Sequence, residues 1–334
     1  MRIALDAMGT DDAPVAEVAG AVEALKDTDG DLEILLVGDQ DAVEAELARH
    51  PDAPRDRVRV VHAPERVLPD ESPAKALRRK PNSSIAIGLG LHRDGQADAF
   101  ISAGSTGAVM AGSLFILRPL AGVDRPPIGT VIPTARGPLL MLDAGANVDC
   151  KPHQLVQFAQ LGKVYAQDLM GIPDPRIGLL NIGEEPGKGD ERSVETHQLL
   201  AAQTDLNFVG NVEGRAIIQG VCDVLVCDGF AGNVLLKFYE SVASFIVGLL
   251  KPALGDELLH KPDVERIFRL LDYTETGGAP LLGVHGITII CHGGSPPKAI
   301  RNAIRVAAQA VRSSLVSHFE RELAPQQTPA LDDA

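Results

Sequence analysis

The chain is predicted to be an α/β protein whose mostly parallel sheet is covered by helices on both faces. Three observations predict it. Short apolar runs alternate with helical patterns from end to end, almost every run closes on Gly, Asp or Asn, and no repeat or low-complexity block interrupts the order. The runs are continuous rather than alternating apolar and polar, as expected of strands buried on both faces. The 334 residues are 45% hydrophobic but only 4% aromatic, with no Trp, so the expected core is large and aliphatic.

In chain order, strands are expected over residues 3–5, 32–37, 58–61, 99–101, 139–142, 177–182, 224–227 and 287–291. Helices are expected over 14–26, 41–49, 152–170, 234–250 and 297–319. Residues 1–322 read as one domain of one or two lobes, and 323–334, rich in Pro, Gln and Asp, as a frayed tail. The strand ends gather small polar loops along one edge, where open α/β sheets bind ligands.

Charge and cysteines narrow the class. A net charge of -14 argues against general nucleic-acid binding, which needs a basic surface. The amino terminus enters the first strand with no charged-then-apolar leader, so a cytoplasmic protein is expected. The four cysteines are scattered, and Cys222 and Cys227 fall on opposite faces of one strand, which does not suit a disulfide framework. Cys150 and His153 lack a second ligand pair, so no metal is expected. No G-x-G-x-x-G or Walker motif is present, and no cofactor is expected.

Five stretches carry chemistry. Ser102-Ala103-Gly104-Ser105-Thr106-Gly107-Ala108 joins a strand to a helix. Unpaired N–H groups, the positive dipole end and three hydroxyls suit a phosphate there, although Ser and Thr also cap helices. Asp143 and Asn147 follow the 139–142 strand and either orient a ligand or form Asx turns. Lys188, between Gly187 and Gly189, sits in a loop that either closes on an anion or is a charged surface turn. Asp228, Asn233 and Lys237 surround a strand-to-helix junction, the last two on one helix face. His292 ends the 287–291 strand and reads either as a general acid or base, the role imidazole chemistry suits near neutrality, or as a satisfied structural residue. Apart from these, Lys75, Arg78, Arg79 and Lys80 form the densest basic cluster, either a helix C-terminal cap or a dock for an acidic partner. The apolar stretch from Ser241 to Leu254 is too short to span a bilayer and reads as a dimer or core helix, then as a membrane-surface element.

Asp6-Ala7-Met8-Gly9, the Ser102 to Ala108 turn, Leu142 to Cys150, Gly178 to Glu185, Gly210 to Arg215, Cys227 to Lys237 and Gly277 to Gly283 together resemble the bacterial PlsX family of phosphate acyltransferases. The resemblance runs from Met1 to about Phe319. Two positions depart from it: Thr10 stands where a second Gly is usual, and Ala216 where an Asp is usual. The resemblance implies a three-layer α/β/α fold similar to those of isopropylmalate dehydrogenases and phosphate acetyltransferases. It also implies a homodimer, cytoplasmic or peripherally bound to the membrane's inner face, that moves a long acyl chain from acyl carrier protein to inorganic phosphate. The acyl phosphate would serve phospholipid synthesis, with a glycerol-phosphate acyltransferase downstream.

On that basis Ser102, Gly104, Ser105, Thr106, Gly107 and Lys188 are expected around the phosphate, with Lys237 offsetting its charge. Asn147 or Asn233 would donate to the thioester oxyanion, Asp228 would share their pocket, and His292 would protonate the leaving thiolate. Lys75, Arg78, Arg79 and Lys80 would dock the carrier. An NAD-dependent decarboxylating dehydrogenase, a CoA-dependent phosphate acetyltransferase and a membrane scaffold are the competing readings.

Overall fold

The computed structural model describes residues 1–324 except 29, 69 and 260; positions 325–334 of the expected tail lie outside them. Two sheets, rather than one, form the middle layer. The first runs β10-β11-β4-β1-β2-β3, from β1 (Arg2–Asp6), β2 (Glu33–Gly38), β3 (Val58–His62), β4 (Ala99–Ser102), β10 (Ala279–Leu281) and β11 (Thr288–Ile290). The second runs β5-β6-β9-β7-β8, from β5 (Gly129–Thr134), β6 (Gly137–Leu142), β7 (Ile177–Asn181), β8 (Phe208–Glu213) and β9 (Val224–Val226). Pairing is parallel except for β10 with β11 and β5 with β6. Ile3, Ala4 and Leu5 of β1 and Leu139 through Leu142 of β6 have no exposed surface, which is why these strands read as unbroken apolar runs.

One face is covered by α1 (Val15–Lys26), α2 (Gln40–Leu47), α6 (Pro152–Met170), α7 (Glu191–Ala201), α11 (Pro297–Arg312) and α12 (Leu315–Leu323). The other carries α3 (Pro73–Arg79), α4 (Ser84–Arg93), α5 (Thr106–Gly112), α8 (Gly214–Ile217) and the start of α9 (Gly229–Leu259). Short α10 (Pro262–Leu270) follows α9. The architecture is therefore α/β/α, and a continuous apolar cluster on the first face takes residues from both sheets.

Several boundaries differ from expectation for local reasons. The helix expected over 297–319 breaks in two at Ser314, whose φ of 55° is left-handed. The helix expected at 234 starts at Gly229, because the Asp228 carboxylate accepts the Ala231 N–H and caps it. Residues 208–213 and 279–281, for which no strand is expected, are strands. Strand β5 was not expected: Gly129 and Pro133 break its pattern, yet it pairs antiparallel with β6. With the helix running from Gly229, the length argument against a bilayer span falls away: Gly229–Pro252 is long and apolar enough by length and composition.

Candidate active site

Strands β1 and β4 are parallel neighbours, and their carboxyl ends build the first wall. Asp6 ends β1 fully buried and accepts hydrogen bonds from the Ser102 hydroxyl at 2.7 Å and the Met8 N–H at 3.0 Å. Burial raises its pKa above the usual carboxylate value, against those donors. Ser102 in turn accepts the Gly104 N–H at 3.0 Å. Its hydroxyl, buried between the Asp6 carboxylate and the Gly104 N–H, therefore shapes the turn from beneath. A Cβ on Gly9 would lie 2.7 Å from the Ala103 nitrogen, so only glycine lets the two loops stack this closely. Gly107 meets Pro73 of α3 in the same way, at 2.8 Å.

Ser105 precedes α5 without a side-chain cap bond, and its carbonyl accepts from Ala108 and Val109. The N–H groups of Thr106 and Gly107 find no acceptor among the described residues. Helix α5 runs on through a further turn to Leu117, and its amino end presents these donors with the dipole's positive pole.

The second wall comes from the other sheet. The fully buried Asp143 carboxylate, after β6, accepts from the N–H groups of Ile128, Gly145, Ala146 and Asn147. Desolvation nevertheless pushes its pKa up. The Asn147 amide donates to Pro126 O at 3.0 Å and Asp143 at 2.9 Å. Both its hydrogens are engaged, so the Asn147 amide braces the loop. The start of α9 rests on this loop: a Cβ on Gly232 would stand 1.9 Å from the Asp143 carbonyl.

Between the walls lies a cavity of about 840 Å³, within the range of small-molecule sites. Thr106, Gly145, Asn233, Lys237, His292 and Ser295 are among the residues that line it. Asn233 has no hydrogen-bond partner among the described residues and its side chain packs beside Gly145. Lys237 holds Glu240 at 2.9 Å in an exposed pair, a weak contact that a stronger anion displaces. His292 accepts the Gly294 N–H on Nδ1 at 3.1 Å, which leaves the neutral ring's proton on Nε2.

Other expected residues fall elsewhere. Asp228 does not line the cavity; besides capping α9 it takes Arg192 of α7 at 2.9 Å. Lys188 lies exposed in the loop after β7, its backbone tied to Asn181 and Glu185, away from the cavity lining. In the basic cluster, Lys80 is committed to Glu71 at 2.6 Å and to the Arg66 carbonyl. Lys75 and Arg79 are exposed, and Arg78 lies 5.8 Å over the Phe115 ring. All four cysteines are free and buried. Sequence reasoning missed Glu240, Ser295 and Arg192; the i, i+3 spacing of Lys237 and Glu240 was the signal for the first.

The family model described as fatty acid synthesis protein matches residues 1–318. The chain belongs to that family. It is 48% identical over 329 residues to the phosphate acyltransferase of Desulforamulus reducens, covering 97% of both chains. It is equally similar, 48% over 330 residues, to the phosphate acyltransferase of Heliobacterium modesticaldum, covering 97% of this chain and 98% of the other. The kinship places the chain among acyltransferase enzymes. Its fold is like that of a phosphotransacetylase from Streptococcus pyogenes, with a TM-score of 0.66 at 18% identity over 93% of this chain and 94% of that one.

Proposed function

We propose that the protein transfers a long-chain acyl group from acyl carrier protein to inorganic phosphate. The observation that carries this reading is that Thr106 of the α5 amino end, Asn233, Lys237 and His292 line one cavity together with apolar residues such as Val131, Leu169, Met170, Leu236 and Val306. Phosphate is a nucleophile at neutral pH, so positioning and charge stabilisation supply most of what the reaction needs.

In this mechanism the free N–H groups at the start of α5, with the Ser105 and Thr106 hydroxyls, hold phosphate, and Lys237 leaves Glu240 to offset its charge. A phosphate oxygen attacks the thioester carbonyl carbon, and the carbonyl oxygen takes up negative charge that the Asn233 amide stabilises. The C–O bond forms and the C–S bond breaks; the His292 Nε2–H hydrogen-bonds the leaving thiolate, which takes its proton from water. The products are acyl phosphate and free carrier thiol. The apolar walls favour a long acyl group over acetyl, although the phosphotransacetylases share the fold.

Two surfaces fit partners in this reading. Phe230, Val234, Phe238, Phe245 and Leu249 are exposed along one face of α9, a stripe suited to a second copy of the chain. The part of α9 from Ser241 to Leu254 is the candidate peripheral membrane contact. The reading is tested by incubating the protein with palmitoyl-acyl carrier protein, with and without phosphate, and detecting products by mass spectrometry. Phosphate-dependent acyl phosphate and free carrier thiol are expected; turnover with acetyl-CoA alone overturns the carrier-dependent reading.

A further inference from the structure

Gly277 and Gly278 both take positive φ, 76° and 82°, and a Cβ on Gly278 would fall 2.7 Å from Ile289 Cγ2. This double turn leads the chain into β10. The edges of the two sheets meet at Ile128 and Leu281. Beyond that bridge, toward Thr130 and Ala279, no backbone pairing joins them among the described residues. The opening is not filled by packing: Thr130, Val131, Gly278 and Ala279 all line the cavity.

The consequence appears in which cores the cavity touches. Leu236 and Tyr239 belong to the apolar cluster on the α9 side of the sheets, whereas Tyr165, Leu169, Met170 and Val306 belong to the cluster on the α6 and α11 side. All six line the same cavity. It therefore reaches both faces of the sheet layer beside β5 and β10, with Thr106, Lys237 and His292 in its lining and an apolar patch of Leu169, Met170 and Val306 on the α6 and α11 side. That form suits a ligand with an anionic head and a long apolar tail. A short acyl group would leave the far end as water against hydrocarbon walls, an unfavourable contact.

We propose that the acyl chain threads this slot through the sheet layer, its methyl end lying between α6 and α11, so that Leu169, Met170 and Val306 set the chain length accepted. This rests on the acyl-transfer reading above and adds the place of the tail. The test is isothermal titration with palmitoyl phosphonate and butyryl phosphonate, hydrolysis-resistant analogues of the product. It compares the parent with Leu169→Trp and Val306→Trp, one from each wall, thermal melting serving as the check on folding.

Either variant is expected to weaken the palmitoyl analogue at least about tenfold, the loss of some two buried methylenes, and to leave the butyryl analogue unchanged. Unchanged palmitoyl affinity, or equal weakening of both analogues, overturns the slot. A palmitoyl phosphonate with a diazirine at its methyl end, used on the unaltered protein, is expected to label α6 or α11. Labelling confined to α9 overturns it independently of any variant. Because none of these readouts requires turnover, a protein that binds through the slot but forms no acyl phosphate would refute the proposed reaction and not the slot.

Discussion

Thr10 donates both its backbone N–H, at 2.6 Å, and its hydroxyl, at 2.9 Å, to the carboxylate of Glu17. Both residues are buried, Glu17 completely. The pair ties the loop after β1 to the first turn of α1, while Asp11 N–H bonds the Gly293 carbonyl beside His292. Thr10 thus occupies the place where a second glycine was expected, and its hydroxyl closes the loop.

Burial is the main force on Glu17, raising its pKa from 4.5 to about 7; nearby Asp6 raises it further, and the Thr10 donors oppose the shift. The folded state thus holds this proton more tightly than the unfolded chain. The resulting stability is full below about pH 4.5 and is lost as pH rises through about 7, a swing of ~3 kcal/mol. Urea unfolding at about pH 5 and about pH 8 is expected to show that swing in the parent and to lose it in Glu17→Gln.

Lys237 is half exposed and its pair with Glu240 adds little to stability. Lys237→Ala is expected to leave the melting temperature nearly unchanged, with about 0.5 kcal/mol or less lost. The same variant should lose about a hundredfold in kcat/KM and raise the KM for phosphate. Steady-state kinetics at varied phosphate measures this, and parent-like constants would remove Lys237 from the mechanism.

Asp228, by contrast, is expected to act on stability. Its carboxylate caps α9 and faces Arg192 across to α7, so Asp228→Ala should cost about 2 kcal/mol. Asp228→Asn keeps an oxygen for the Ala231 N–H and should recover part of that loss. Chemical denaturation of the two variants side by side makes the measurement.

Glutamates at Lys75, Arg78 and Arg79 should raise the KM for the acidic carrier substrate and flatten its dependence on salt, with phosphate KM unchanged. Lys80 is left out because its ammonium holds Glu71 and the Arg66 carbonyl in place. Unchanged carrier kinetics would return these three residues to the role of a solvated helix end.

Buried strands and the loops at their ends were legible because a strand enclosed by helices leaves a continuous apolar run and a closing Gly or Asp. Leu139 through Leu142, followed by Asp143, is an example. Strand β5 was not legible, since what makes it a strand is β6 beside it. In the site, spacing alone put Asn233 and Lys237 on one face and the structure puts both at the cavity. Residue type could not tell a ligand donor from a brace. Asn147 and Asp228 have the same chemistry as a catalytic pair, but Pro126 and Arg192, distant in sequence, and the nearby Asp143 already hold them.

The apolar cluster under α6, α11 and α12 draws on both sheets without a break, and that continuity governs how the molecule comes apart. No plane separates one half from the other without exposing hydrocarbon from each, so neither half gains by melting alone. Heating is expected to give one cooperative calorimetric transition over the whole chain, with a substitution at Tyr165 on one side of the seam and one at Ile304 on the other shifting the same midpoint.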